Sequence, residues 1–164
     1  MNIDDEFDRF VREHFISLCR TGCLLCGDRQ RAEDATQDAL LQLHRHWRRA
    51  DNRLAYVRRT LVTILIDHSR RPWRREIPTD LPHDRHATDA SGTVDDRDEL
   101  LRVLTRLTPR QRSCVVLRYY QDLSIAQTAE ALGTSEGNVK RTTSDAVHAL
   151  RGLLSVPVDQ EQRS

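Results

Sequence analysis

Three groups of residues in this chain have types and spacings that could do chemistry. Cys19, Cys23 and Cys26 are separated by three and by two residues, and three thiolates so spaced could hold an iron–sulfur cluster with one iron left open. Tyr56, Arg58, Arg59, Thr63, Asp67, Arg70 and Arg71, followed by Trp73, Arg74 and Arg75, interleave cations with aromatic rings. Arginines hold phosphates while a ring can stack on an unpaired base, so this mixture suits single-stranded or opened nucleic acid. The other reading is a solvated basic helix end that complements the macrodipole, with Trp73 covering the edge of a core. The third group, Ser135, Glu136, Asn138, Lys140, Arg141, Ser144 and His148, forms the polar, cationic face of a helix suited to a major groove. No Cys/His or Ser/His/Asp constellation and no glycine-rich phosphate loop accompanies them, so no catalytic residue, metal or cofactor is expected and the chain does not read as an enzyme.

The elements that must position these residues are all helical. Phe7, Val11, Phe15, Leu18, Gly22 and Leu25 share one face of a first helix that stops near Gly27-Asp28. A second runs from about Arg31 to Arg49, with Leu40, Leu43 and Trp47 inward and Glu33, Asp34, Gln37 and Asp38 outward. A third runs from about Asn52 to Arg71 on the stripe Leu54, Val57, Leu61, Ile64, Leu65 and His68. Every spacing follows the helical period and none alternates as a strand would. After a break, Leu100, Leu101, Leu104 and Leu107 resume the pattern from Asp98, and Thr108-Pro109 supplies an N-cap and an N1 proline for a helix to Tyr120. Ser124 with Gln127 starts a capping box, Ile125, Ala129 and Leu132 make its apolar stripe, and Gly133 ends it in the left-handed conformation. Ser135 then caps a longer helix carrying Val139, Thr143, Ala146, Leu150 and Leu153 inward. A short helix, a tight turn and a longer helix with polar residues at its start are a helix-turn-helix.

The fold expected is therefore all-α, two small helical domains joined by a flexible linker: residues 1–72, a linker over 73–97, residues 98–155, and a polar tail over 156–164. Pro72, Pro78 and Pro82 remove helix donors, and His83 to Asp96 offers almost nothing to bury. Two domains on a tether suggest two contact points on one extended target. The 164 residues carry a net charge of +1, modest for a free-standing DNA binder, which favours binding DNA with help from a partner. Lys140 is the only lysine among 26 cations. No apolar run spans a bilayer and the start, Met1-Asn2-Ile3-Asp4-Asp5-Glu6, lacks the regions of a signal peptide, so no membrane insertion and a cytoplasmic location are expected. Cysteines of such a protein, Cys114 included, are expected as thiols.

Ala32-Glu33-Asp34-Ala35-Thr36-Gln37-Asp38-Ala39-Leu40-Leu41, Ala55-Tyr56-Val57-Arg58-Arg59-Thr60-Leu61-Val62-Thr63 with Ile66-Asp67, and Leu107-Thr108-Pro109-Arg110-Gln111-Arg112 through the helix-turn-helix together resemble an extracytoplasmic-function (ECF) RNA polymerase sigma factor of the small actinobacterial kind. The resemblance covers nearly all the patterned chain in order. It implies a promoter-recognition subunit of RNA polymerase, with sigma region 2 in the first domain as a three-helix bundle and sigma region 4 in the second. It implies core polymerase, through its β′ clamp and β flap, and promoter DNA as partners, with an anti-sigma factor possible. Carried onto this sequence, it makes Asp34, Gln37, Asp38 and Leu41 the contacts to the β′ clamp. Tyr56, Arg58, Arg59, Thr63, Asp67, Arg70 and Arg71 become the readers and openers of the −10 element, and Ser135, Glu136, Asn138, Lys140, Arg141 and Ser144 the readers of the −35 element. Two positions depart. Thr63 stands where the family commonly has Asn, replacing an amide by one hydroxyl, and His44 stands where relatives often have Trp. Asn138 is unusual in the reading helix and could add an adenine contact.

Three rivals remain at this point. A conventional dimeric helix-turn-helix regulator explains the last third but not a basic, aromatic helix in the first domain. A polymerase-binding protein without promoter activity is another. The cysteine spacing is that of the cluster motif of radical S-adenosylmethionine enzymes, which opens a redox or iron–sulfur sensor. That motif belongs on a loop of a β/α barrel, whereas here the cysteines fall at i, i+4 and i+7 of a patterned helix, where they act as small apolar fillers.

Overall fold

The computed structural model describes residues 2–70 and 94–154, all of them in helices and the turns between them. The linker from 71 to 93, with Arg71, Trp73, Arg74, Arg75, His83 and His86, and the tail from 155 onward lie outside the described residues.

Helix α1 (Ile3–Cys26) starts on Asp4, Asp5 and Glu6, carboxylates that favour a helix N-terminus, and ends where Gly27 takes a left-handed φ of 73° and donates its N–H to Cys23 O. Asp28 caps α2 (Arg29–Arg45) by accepting from the Arg31 N–H. The two helices approach closely where a Cβ on Gly22 would stand 3.0 Å from the Cβ of Ala32. Expected to reach Arg49, α2 instead stops at Arg45: His46 is its C-cap and 46–49 form a turn closed by Arg49 N–H and Ala50 N–H on His46 O. The reason is Trp47, which is 3% exposed and lies edge-on to Phe7 and Phe10 with centroids 5.5 and 5.6 Å away. Arg53 lies 3.8 Å over its ring and Glu6 accepts from its Nε1 at 3.4 Å. Asn52 accepts from Ala55 N–H at the start of α3 (Arg53–Arg70), which buries Val57, Leu61 and Leu65 as expected, and Val62 besides.

The second half opens with α4 (Val94–Thr105), which begins ahead of the expected Asp98. Thr108 and Gln111 close a capping box, with Pro109 at its start, on α5 (Pro109–Val115). The chain does not continue as an α-helix to Tyr120. Residues Val116–Tyr120 widen to a π-helical turn, closed by Gln121 N–H on Val116 O, and Asp122 follows at a left-handed φ of 55°. Ser124 and Gln127 close a second capping box on α6 (Ile125–Leu132), which ends at Gly133 with φ 63°. Ser135 then accepts from Asn138 N–H to start α7 (Glu136–Leu154).

The two halves share one core. Leu18, Leu24, Leu25 and Leu65 of the first belong to the same buried cluster as Leu104, Leu107, Leu117 and Leu123 of the second. Arg112 joins them by polar contacts, donating to Leu104 O at 2.9 Å, to Leu107 O at 3.4 Å and across to Leu25 O at 3.0 Å. One guanidinium thus reaches carbonyls at the ends of both halves, Leu104 O accepting from Leu107 N–H as well. Gln121 also reaches across, donating to Thr21 Oγ1.

Candidate nucleic-acid and polymerase interfaces

Helix α2 exposes Asp34, Gln37, Asp38 and Leu41 while burying Ala35, Thr36, Ala39 and Leu40. Spacings of three, one and three place the exposed four on one face. Leu41 is 57% exposed, an apolar side chain held out among carboxylates, and Gln30 Nε2 steadies Asp34 Oδ1 at 3.2 Å. A surface of this kind suits a protein partner, with Leu41 as the part that gains from burial. His44, the departure in this helix, packs its ring edge on Phe7 with centroids 4.7 Å apart and lies 3.4 Å from Asp4 Oδ1. Its ring is used for packing between α2 and the start of α1.

On α3 the residues expected to meet opened DNA divide by environment. Arg59 and Thr63 are exposed and one turn apart. Arg58 is half-buried, its Nε has no hydrogen-bond partner, and burial pushes its guanidinium below the ordinary arginine range. Tyr56 is half-buried, and its hydroxyl sits 3.1 Å from His46 Nδ1. Asp67 and Arg70 belong to the last turn of the helix, and Arg71 follows beyond the described residues. The contact of His46 with Tyr56 is one that the sequence did not reveal, because a helix drawn through to Arg49 places His46 on an ordinary solvated face.

Helix α7 presents Ser135, Glu136, Lys140, Arg141, Ser144 and His148 to solvent, while Val139 and Ala146 are buried. Asn138 differs from its neighbours. It is half-buried, donates from Nδ2 to Thr134 Oγ1 at 2.7 Å and accepts from Arg141 Nη2 at 3.4 Å. A bidentate contact to adenine uses one amide hydrogen and one oxygen lone pair, which is the capacity these two bonds leave on Asn138.

The cysteines are helical packing residues. Cys19, Cys23 and Cys26 are half-buried along α1, Cys26 Sγ donates to Asp28 O at 3.3 Å, and Cys114 is buried in α5. Burial pushes the thiols of Cys19, Cys26 and Cys114 above the ordinary range, away from the thiolate form of a reactive cysteine. Among the described residues no three His, Cys, Asp or Glu side chains could hold a metal ion.

The chain matches two family models, Sigma-70 region 2 over residues 10–75 and Sigma-70 region 4 over residues 97–150. It is 37% identical over 152 residues to an RNA polymerase sigma-E factor of Streptomyces avermitilis, covering 91% of this chain and 85% of that one. It is also 34% identical to the ECF RNA polymerase sigma factor SigM of Mycobacterium tuberculosis, covering 90% and 76%. The chain belongs to the ECF RNA polymerase sigma factors. Like other sigma factors it is a non-enzymatic initiation factor that binds core RNA polymerase and directs it to promoter DNA. The fold agrees with solved members: RpoE of Bartonella quintana, crystallised with the anti-sigma factor NepR, matches at TM-score 0.74 and 22% identity over 92% of this chain and 98% of that one. CnrH, in complex with the cytosolic domain of CnrY, matches at TM-score 0.68 and 18% identity over 92% and 88%. No described helix of this sigma factor is long and apolar enough to cross a membrane.

Proposed function

We propose a division of labour within the sigma factor, in which residues 1–72 act as region 2 and residues 98–155 as region 4, with 73–97 joining them. Asp34, Gln37, Asp38 and Leu41 dock α2 on the polymerase β′ clamp, and the second half meets the β flap. Arg59 and Thr63, with Tyr56, Arg58, Asp67, Arg70 and Arg71, engage the −10 element and hold it open. Ser135, Glu136, Asn138, Lys140, Arg141 and Ser144 enter the major groove at the −35 element. The protein works in the cytoplasm, beside polymerase and chromosome. An anti-sigma factor, the kind of partner found with the Bartonella protein, belongs to the same proposal.

The observation that carries this reading is the outward presentation of three chemically distinct faces: acidic with Leu41 on α2, cationic with a hydroxyl on α3, and cationic on α7. Weak contacts summed through one chain give usable affinity without a large net charge.

The test combines footprinting, permanganate reactivity of promoter thymines and run-off transcription with core polymerase, on promoters selected from a genomic library by this protein. Replacing Arg59 and Thr63 with Ala is expected to leave closed complexes intact and to block opening, with rescue on a pre-melted template. Replacing Asp38 and Leu41 with Ala should weaken binding to core. Wild-type opening by the α3 variant would overturn that assignment, and polymerase binding without any selected promoter would leave a sigma-like protein lacking promoter activity.

A further inference from the structure

Next to the exposed Arg59 and Thr63, Tyr56 is half-buried and anchored at its hydroxyl. Its neighbour His46 is itself fixed. As the C-cap of α2, His46 directs its backbone N–H to Gln42 O at 3.2 Å and Leu43 O at 3.0 Å, and the next residue is the buried Trp47. The His46 ring stands 5.7 Å from the Tyr56 ring at an interplanar angle of 34°, within the range of interacting aromatic pairs.

The polar contacts decide which atom carries the proton. His46 Nδ1 lies 2.9 Å from Gln42 O and 3.1 Å from Tyr56 Oη. A carbonyl oxygen can only accept, so the shorter contact is bonding only when Nδ1 carries its hydrogen. That hydrogen is then shared between Gln42 O and Tyr56 Oη, and the tyrosine oxygen is an acceptor. A phenolic O–H lies in the ring plane with two orientations, so with one side facing Nδ1–H the proton takes the other.

We infer that His46 is a positioning residue for promoter opening: it holds the Tyr56 ring in place and leaves the hydroxyl as a donor for a hydrogen-bond acceptor on the opened strand. This rests on the reading that α3 engages the −10 element. Held there, the Tyr56 ring offers a face against which an unstacked nucleotide can lie while its acceptor is met by the phenolic proton. A ring held by its own protein needs less ordering when the strand arrives.

The experiment measures permanganate reactivity of selected duplex promoters with core polymerase and the full chain, for Tyr56→Ala, Tyr56→Phe, His46→Phe, His46→Gln and the double variant His46→Phe/Tyr56→Phe. His46→Phe keeps a ring without the donor, and His46→Gln keeps a donor. Tyr56→Phe and His46→Phe are each expected to lower opening about three- to ten-fold, as loss of one hydrogen bond does. The double variant should open no worse than the poorer single one, because both changes break one unit. His46→Gln should stay within about two-fold of wild type, and thermal unfolding of all variants controls for folding. Wild-type opening by His46→Phe, or additive losses in the double variant, would overturn the role of His46 while a defective Tyr56→Ala keeps the assignment of α3. Wild-type opening by Tyr56→Ala would instead remove Tyr56 from the assignment on which the inference rests.

Discussion

Arg58 and Arg59 are neighbours in sequence with opposite surroundings. Arg59 is exposed, while Arg58 has an unpartnered, buried Nε and a guanidinium whose pKa is depressed by desolvation. A charge that already pays for dehydration loses little when removed. We therefore expect Arg58→Met to keep unfolding stability in urea within about 1 kcal/mol or to raise it. Arg59→Ala should leave stability unchanged and impair promoter opening. The thiols allow a second residue-scale expectation. Cys19, Cys26 and Cys114 all have folded pKa values raised by burial, so their contribution to stability is fully present below the unfolded thiol value. It is lost as pH rises through the higher folded value. Chemical denaturation from neutral pH upward should show stability falling on the alkaline side, and less so for Cys19→Ala/Cys26→Ala. The sensor alternative predicts loss of regulated transcription when Cys19, Cys23 and Cys26 are changed to Ser, whereas packing residues predict promoter selection like wild type.

At the scale of single elements, the helix-turn-helix is assembled by local chemistry. Two capping boxes, Thr108 with Gln111 and Ser124 with Gln127, and the left-handed Gly133 set the ends of α5 and α6. With those ends set, Lys140 and Arg141 lie on the exposed early turns of α7. Lys140→Ala/Arg141→Ala should weaken promoter recruitment by roughly 1–3 kcal/mol if either group meets a base or a desolvated phosphate. Footprinting measures this, and an unchanged −35 footprint would show that this face stays out of the groove. The π-helical turn Val116–Tyr120 and Asp122 at φ 55° have no such signature in the sequence. A π turn is produced by one extra residue between packing positions, and here Leu117 is wholly buried while Tyr119 is 63% exposed. Asp tolerates the left-handed region better than branched residues, so Asp122→Val should cost about 1–2 kcal/mol in thermal unfolding and Asp122→Gly should not.

At the scale of the whole molecule, the two halves expected to act apart are packed on each other through Arg112, Gln121 and a shared leucine cluster. A packed chain of this length has a radius of gyration of about 15 Å and spans about 40 Å. Elements at −10 and −35 are about 25 base pairs apart, roughly 85 Å of duplex. With the two halves on these two elements as proposed, the packed form cannot reach both, and the halves are expected to part when polymerase and promoter engage. Scattering of the free protein should give the compact radius, and dyes on α2 and α7 should separate in the polymerase complex. Arg112→Ala removes the guanidinium contacts to Leu25 O and Leu107 O, while Leu104 O keeps the Leu107 N–H. It should destabilise by about 2–3 kcal/mol and expand the free chain in the same scattering measurement.

The sequence by itself determined what depends on near neighbours: helical period, caps at Thr108, Ser124 and Ser135, the glycine stops, and the faces of α2 and α7. Each of these follows from contacts within about one helical turn, which the order of residues specifies directly. Only the tertiary structure decided the early end of α2 at a buried Trp47, the withdrawal of Arg58, the pairing of His46 with Tyr56 and the burial of Val62. Those depend on which helix faces lie opposite each other. A helical wheel shows that a residue is on a given side, but contacts between distant segments determine whether that side meets solvent, a ring or the other half of the chain.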